Sequence, residues 1–362
     1  MTIISSNVVA ASGGKSMKNF IVFIAVVFCG LFLAMLNRTD SSPTSVSVPT
    51  LRVFGYSSFT GKFGPGPLLK AEFEKNCQCN VEFIEGSDSG ILLQRLKIEG
   101  ESLGADLVVG LDQFDLSKAM NEQQWRKMSL GNLNVYEAVK PALSNNFFVP
   151  YDWGALTFVM RTGEIKKVPV KIDDLLDPEF TRKISLQDPR TSSPGMQFLY
   201  WLVRSKGEDE AFKFLSQLMP QVHSFSPTWS TAYGMFTNKQ TKMVYSYVTS
   251  PLYHEIEEKK KDYQAIAFEE PLPLQFEFMG IPEFCRHCEL AEKFVNLMLS
   301  PEGQKIIMEK NYMMPVMKGV RDGTPFASVP EYKTMPDFEI LSTAEVDRLL
   351  KRWTEVRRGA LN

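Results

Sequence analysis

Short apolar strands alternate with amphipathic helices in the first third of the sequence. Residues 51–56, 80–84 and 105–110 are apolar or alternating runs of strand length. Residues 66–76 and 90–98, which lie between them, place Leu, Ile and Phe at spacings of three and four and are predicted to be helices. The order strand, helix, strand, helix, strand is typical of a parallel α/β sheet.

A second α/β pattern follows a long apolar strand that is predicted over residues 147–160. Residues 184–187 and 242–247 are predicted strands, residues 196–205 a helix, and residues 275–281 a strand that returns to the first sheet. Further helices are predicted over residues 290–299, 301–311 and 343–356.

The chain therefore leaves a first α/β unit, builds a second and comes back. We assign residues 51–150 and 275–362 to lobe 1, and residues 151–274 to lobe 2. Two lobes joined by two crossing strands leave a cleft between them, and clefts of this kind bind ligands.

The N-terminus carries an uncharged apolar run over residues 20–36, FIVFIAVVFCGLFLAML. The run is short for a membrane span and long for the apolar part of a signal peptide, so a cleaved signal peptide and an uncleaved anchor both stay open. Met17 is an alternative start. We assign residues 1–38 to this signal or anchor and the Ser/Thr/Pro-rich residues 39–50 to a tether. Both assignments predict a folded part outside the cytoplasmic membrane.

Charge and cysteine usage narrow the class of protein. The formal net charge of −2 gives no basic surface for nucleic acid, and three histidines argue against a histidine-rich metal site. Four cysteines form two close pairs, Cys77 with Cys79 and Cys285 with Cys288. A metal site shared by the pairs is one interpretation. We favour disulfides in an oxidising compartment, formed within the pairs or between them.

Enzyme signatures are incomplete in this sequence. SGGKS at residues 12–16 lacks the first glycine and the preceding strand of a phosphate loop. HEIEE at residues 254–258 lacks the second histidine of a zinc-protease helix, and no G-x-S-x-G elbow occurs. We therefore expect a binding protein and not an enzyme.

Four segments have the chemistry of a binding site. Residues 56–67 and 85–90 are Gly- and Ser-rich loops after the first two strands, where backbone can approach a ligand. The alternative for residues 56–67 is a surface turn, and the alternative for residues 85–90 is a helix cap. Residues 187–195 lead into a helix whose free N–H groups can hold a phosphate or carboxylate, and simple capping of that helix is the alternative. Residues 229–253 gather Trp and Tyr side chains, which combine flat apolar faces with polar edges.

The aromatic segment divides into two groups. Tyr233 and Tyr245 are the candidates for core packing. The side chains that we expect to face a ligand, because they border loops, are Trp229, Tyr247 and Tyr253. An aromatic wall, an acidic edge at Asp88 and an anion-binding helix end suit a ligand with flat rings, a positive centre and a phosphate. A cation over such a ring gains about 0.5–2 kcal/mol.

These motifs resemble those of the periplasmic thiamine-binding proteins of ABC import systems. The resemblance runs from Leu51 to the C-terminus. It rests on FGPGP (63–67), CQC (77–79), LLQRLKIEG (92–100), ADLVVGLD (105–112), FVPYD (148–152), QDPRTSSPG (187–195), WSTAYG (229–234) and SYVTSPLYH (246–254).

The resemblance implies a two-lobed α/β fold, the periplasmic-binding-protein type II fold with two crossover strands, that closes around thiamine or its phosphates. It implies a monomer in the periplasm that works with ABC permease and ATPase subunits, without a cofactor or nucleic acid, and that touches the membrane through its N-terminal segment if that segment is uncleaved. The implied ligand-binding residues are Tyr56, Ser57, Phe63, Asp88, Ser89, Gly90, Ser192, Ser193, Trp229, Tyr247, Tyr253 and Tyr312.

Three of these residues depart from the family's pattern. Ser57 stands where family members can carry Asp, and Phe63 and Tyr312 stand where they can carry Trp. The preference among thiamine, its phosphates and a related pyrimidine therefore stays open.

One rival hypothesis is the same fold with another ligand: a metal chelate, a polyamine, a sugar phosphate, or Fe³⁺, which favours a cluster of Tyr with His or carboxylate. The other is an enzyme of pyrimidine or thiamine breakdown with a Cys nucleophile.

Overall fold

The computed structural model describes residues 48–336 and 338–359. The apolar run at residues 20–36 lies outside them, so the choice between signal peptide and anchor stays open. In the described ranges, no helix is long and apolar enough to cross a membrane.

The strands of the described part alternate with helices for much of its length. The strands are β1 (Thr50–Gly55), β2 (Asn80–Glu85), β3 (Leu107–Asp112), β4 (Trp125–Arg126), β5 (Phe148–Arg161), β6 (Ile184–Gln187), β7 (Val222–Ser226), β8 (Met243–Tyr247), β9 (Tyr263–Ala265), β10 (Leu274–Pro282) and β11 (Met314–Pro315).

The predicted α-helices occur in the predicted order, and the helices at residues 57–60, 208–218, 229–237 and 250–257 were not predicted. They are α1 (Ser57–Thr60), α2 (Gly66–Cys77), α3 (Ser89–Glu99), α4 (Leu116–Glu122), α5 (Ser193–Lys206), α6 (Glu208–Leu218), α7 (Trp229–Thr237), α8 (Ser250–Glu257), α9 (Cys288–Leu299), α10 (Pro301–Asn311) and α11 (Thr343–Gly359).

The sheet consists of two parallel groups joined by two long antiparallel strands. The strand order is β2-β1-β3-β10-β5-β8-β6-β7, with β4, β9 and β11 paired at the sides. β1 is parallel to β2 and β3, and β6 is parallel to β7 and β8. β5 and β10 are antiparallel to each other and to the groups that they join. Nearly every side chain of these two strands is buried, which explains their continuous apolar sequences.

Each parallel group carries its own hydrophobic core. In the first, Phe73 of α2 packs edge-on against Phe294 of α9, with 5.1 Å between ring centroids. In the second, Trp201 of α5 stacks on Tyr245 of β8 at 6.1 Å, so Tyr245 is a core residue as expected.

The C-terminal helix packs on the second core. Trp353 of α11 lies 4.6 Å from the ring of Phe225, centroid to centroid. The assignment of all residues from 275 to 362 to lobe 1 is therefore wrong for this helix, because its apolar face is covered by lobe 2. The other lobe boundaries stay a prediction.

Each cysteine pair forms a disulfide within itself. Cys77 bonds Cys79, with 5.1 Å between Cα atoms, and Cys285 bonds Cys288, with 5.3 Å between Cα atoms. A metal site shared by the two pairs is therefore contradicted, because bonded sulfurs are not thiolate ligands. The same bonds leave no free thiol in the described residues for the predicted rival with a Cys nucleophile.

Candidate ligand-binding cleft

A cavity of about 700 Å³ lies where the two parallel groups meet. Its walls come from the loop after β1, from the N-termini of α3 and α5, and from α7, α8, β10 and the end of α10. The volume is in the range of small-molecule sites. The predicted residues that line it are Tyr56, Ser57, Phe63, Asp88, Ser89, Ser193, Trp229, Tyr247, Tyr253 and Tyr312.

One wall of the cavity is aromatic. The rings of Trp229 and Tyr233 stack with 4.8 Å between their centroids, and the centroid of the Tyr247 ring lies 6.5 Å from that of Trp229. The indole N–H of Trp229 donates to Ser246 Oγ at 2.9 Å, which fixes the plane of the ring. Tyr233, a candidate for core packing, lines the cavity as well, and its hydroxyl meets His254 Nε2 at 2.9 Å.

Three further aromatic side chains, Tyr253, Tyr312 and Phe63, line the mouth of the cavity. Tyr253 of α8 packs edge-on against Tyr312 at 5.3 Å between centroids. Phe63, in the loop after α1, is 84% exposed although it lines the cavity. A phenyl ring so exposed at the mouth is free to cover a bound molecule.

Asp88 connects the two sides of the cavity. Its Oδ1 accepts the backbone N–H of Ser89 at 2.8 Å, so it caps α3 as one of the sequence alternatives predicted. Its Oδ2 accepts the backbone N–H of Trp229, at the start of α7, at 3.0 Å. Burial raises the pKa of the Asp88 carboxyl, and the two N–H donors oppose that shift.

The N-termini of α3 and α5 meet beside Asp88. The hydroxyl groups of Ser89 and Ser193 are hydrogen-bonded to each other and lie on the cavity wall. Because Ser193 begins α5, a ligand anion here would meet the free N–H groups of the first turn.

Two predicted ligand residues lie outside the cavity lining. Ser192 is buried at the N-cap of α5, and its hydroxyl has no hydrogen-bond partner in the described residues. A Cβ placed on Gly90 would lie 3.0 Å from the backbone of Thr191, so Gly90 allows α3 to approach the loop before α5. The structure gives both residues a supporting position behind the wall.

The floor of the cavity is a polar cluster of which the sequence predicted only Tyr56 as a site residue. Glu277 Oε2 accepts the hydroxyls of Tyr56 at 2.6 Å and Tyr151 at 2.7 Å. Asn311 Nδ2 donates to Tyr56 Oη at 2.9 Å and to Asp152 Oδ2 at 2.7 Å. We call these five residues the floor cluster. Its signal in the sequence was polar residues within β5 and β10, which are otherwise apolar.

The floor cluster lies where the two crossing strands touch. Asp152 and Glu277 are paired residues of β5 and β10. Burial raises the pKa of Glu277, while the two tyrosine hydroxyls lower it. Burial and the neighbouring Glu277 raise the pKa of Asp152 well above its usual range. Two adjacent buried carboxyl groups therefore compete for one proton.

The chemical groups on the cavity walls are suited to recognising a ligand. In the described ranges, no group of three or more His, Cys, Asp or Glu side chains is arranged to hold a metal ion. The walls offer aromatic faces, hydroxyls, a helix N-terminus and buried carboxylates.

Two parallel α/β groups joined by two crossing strands, with a cleft at the crossing, are the architecture of two-lobed ligand-binding proteins with a type II fold. The profile of the family described as bacterial extracellular solute-binding protein matches residues 69–336, and this chain belongs to that family.

Relatives and a solved structure agree with this assignment. The thiamine-binding periplasmic protein of Brucella suis biovar 1 (strain 1330) is 37% identical over 277 residues, which cover 76% of this chain and 82% of that protein. The protein of the same name from Salmonella typhimurium (strain LT2) is 38% identical over 270 residues, 74% of this chain and 81% of that protein. A solved structure of a periplasmic thiamin binding protein matches with a TM-score of 0.78 at 33% identity, covering 86% of this chain and 97% of that chain. The predicted family and fold class are confirmed.

Proposed function

We propose that this protein captures thiamine or a thiamine phosphate in the cleft, in the periplasm, and delivers it to the permease of an ABC importer. The observation that carries the proposal is the stacked pair Trp229 and Tyr233, with Tyr247, on one wall of a cavity of about 700 Å³. The relatives at 37% and 38% identity, which are named for thiamine binding, support the same ligand.

The geometry suits the parts of this ligand. Thiamine has two flat rings, one of them cationic, and a hydroxyethyl group that can carry phosphate. The rings fit the aromatic wall, where stacking of a cation contributes about 0.5–2 kcal/mol. The hydroxyethyl or phosphate end fits Ser193 and the first turn of α5. Phe63 at the mouth would cover the bound molecule when the lobes close by a hinge motion.

A calorimetric titration tests the proposal. Residues 40–362 should be unfolded and refolded to strip bound ligand, and then titrated with thiamine, thiamine phosphate and thiamine pyrophosphate. We expect tight binding of one ligand per chain. The ranking of the three ligands tells whether the end near Ser193 holds a phosphate. Absence of both heat and thermal shift with all three would contradict the proposal.

The proposed role is capture and release without chemical change and without a cofactor. Thiamine that is incubated with the protein and then released by denaturation should be recovered intact by mass spectrometry. A time-dependent cleavage product would contradict this part of the proposal. Delivery can be tested by thiamine uptake in cells that contain or lack the partner permease.

Fe³⁺ is a second candidate ligand because tyrosine hydroxyls and a carboxylate meet in the floor cluster. Ligation of Fe³⁺ by tyrosine needs phenolates. Burial and neighbouring carboxylates, however, raise the pKa values of Tyr56 and Tyr151 well above the usual range. We expect titration with ferric citrate to give no phenolate-to-iron absorption band in the visible spectrum. Appearance of that band would favour iron over thiamine.

A further inference from the structure

The floor cluster contains acidic groups without a cationic partner. Glu277 is 8% exposed and lines the cavity, and Asp152 behind it is fully buried. No Lys or Arg side chain in the described residues forms a salt bridge with either carboxyl group. A buried charge without a counter-ion costs roughly several kcal/mol, even after relaxation of its surroundings.

Hydrogen bonds fix where the negative charge lies in this cluster. Glu277 Oε2 accepts two tyrosine hydroxyls, and Glu277 Oε1 accepts Gln275 Nε2 at 3.2 Å. Donors of this kind favour the ionised form of the carboxyl group that they face. The raised pKa values of Tyr56 and Tyr151 keep both hydroxyls protonated, so they remain donors.

Asp152 is less well supplied with donors than Glu277. Its Oδ2 accepts Asn311 Nδ2 at 2.7 Å, and its Oδ1 is buried without a donor. Burial and Glu277 raise the pKa of Asp152 well above its usual range, so Asp152 keeps the proton of the pair. The pair then carries one negative charge, located on the residue that faces the cavity.

The other carboxylates on the cavity wall have their charge offset in other ways. Asp88 accepts backbone N–H groups at the N-termini of α3 and α7, at 2.8 and 3.0 Å, where the helix dipoles favour a negative charge. Glu257, at the mouth, is exposed, so water solvates its charge. Glu258 pairs with Lys260 at 2.9 Å. Glu277 is therefore the cavity carboxylate whose neutralisation is left to the ligand.

We propose that Glu277 is the counter-ion of a permanently cationic ligand ring, and that it makes the cleft select this cation over a neutral molecule of the same shape. The inference rests on the proposed function, because thiamine carries a quaternary ring nitrogen. Both rings of thiamine stack on the aromatic wall, and Glu277 in the floor cluster supplies the negative charge.

A pair of ligands of equal shape tests this assignment. Thiamine and 3-deazathiamine, in which carbon replaces the charged ring nitrogen, are titrated by calorimetry into the wild-type protein and into Glu277→Gln. We expect the wild type to prefer thiamine by about ten-fold or more, since an unpaired buried charge then gains its partner. In Glu277→Gln the two affinities should agree within about two-fold, mainly because thiamine binding weakens.

Two variants control for structural effects. Glu283→Gln makes the same substitution at a carboxylate outside the cavity lining that already has Arg126 as its partner, so it should keep the wild-type preference. Glu277→Asp keeps the charge and should keep a preference for thiamine.

Three outcomes would overturn the inference. The first is equal binding of the two ligands by the wild type, which decides the matter even if Glu277→Gln does not fold. The second is a preference for thiamine over 3-deazathiamine that survives in folded Glu277→Gln. This outcome would leave the proposed function intact. The third is failure of the wild type to bind thiamine at all, which overturns the proposed function as well.

Discussion

Trp229 is the residue whose side chain contributes most visibly to the aromatic wall. It stacks on Tyr233 and is anchored through its indole N–H to Ser246, yet it is only half-buried. Trp229→Ala should weaken thiamine binding by more than about ten-fold, because truncating a central aromatic anchor typically costs about 2 kcal/mol or more. Calorimetry measures the affinity, and thermal melting should show an intact fold. Unchanged affinity would remove Trp229 from the ligand site.

Gly90 lets two backbone segments approach each other. A methyl group at this position would meet the carbonyl of Thr191 at 3.0 Å, and neither backbone can move without shifting α3 or the start of α5. Gly90→Ala should lower both the melting temperature and the ligand affinity. Gly131→Ala is the matched control, because a Cβ at Gly131 has no atom within 4 Å. If the two variants have the same melting temperature and the same ligand affinity, the close approach of Gly90 to Thr191 does not matter for either property.

The sequence could identify the walls of the site but not its floor. Trp229, Tyr247 and Asp88 lie within recognisable local motifs, so their chemistry is visible in short segments. Tyr56 and Glu277 are 221 residues apart, and only the pairing of β10 with β3, the neighbour of β1, brings Glu277 beneath the loop after β1. Sequence alone therefore shows a polar residue in a buried strand without showing what it faces.

At the scale of elements, regular hydrophobic periodicity predicted most helices and strands well. The aromatic segment was harder, because WSTAYGMF and SPLYHEIE mix small, polar and aromatic residues without a clear apolar face. Local capping makes both segments helical. Thr228 Oγ1 accepts the backbone N–H of Thr231 at 3.1 Å to start α7, and Pro251 lies in the first turn of α8.

The disulfide Cys285–Cys288 closes the turn before α9, in a region that does not line the cavity. Replacing both cysteines with serine should destabilise the protein by about 2 kcal/mol or less, because the closed loop is short. Ligand affinity should not change. Chemical denaturation and calorimetry on the same variant provide the two readouts. A fall in affinity without a fall in stability would contradict this purely structural role.

At the scale of the whole molecule, buried carboxyl groups predict how stability depends on pH. Burial raises the pKa values of Asp112, Asp115, Asp152 and Glu277, so the folded protein binds protons that the unfolded chain has released. Stability therefore falls as pH rises from the ordinary carboxyl range, near pH 4, up through the raised pKa values. We expect the melting temperature of the empty protein to fall with rising pH across that window.

A variant isolates the contribution of one of these groups. Asp115→Asn removes a carboxyl whose pKa is raised well above its usual range by burial and by Asp112. The melting temperature of this variant should depend less steeply on pH than that of the wild type. An equally steep or steeper dependence would show that Asp115 is not one of the groups responsible.

Closure of the lobes is the remaining property of the whole molecule that the structure makes testable. Besides the crossing strands, direct contacts join the two halves: Asp88 to the N–H of Trp229, and Ser89 to Ser193. A cleft that binds by hinge closure should open when these contacts lack the support of a ligand. We expect the radius of gyration from small-angle X-ray scattering to be larger for the empty protein and to decrease on addition of thiamine.

Asp88→Ala, which loses the contact to Trp229, should show a smaller decrease in the radius of gyration at saturating ligand. If the empty and the saturated wild type scatter identically, the protein binds thiamine without closing.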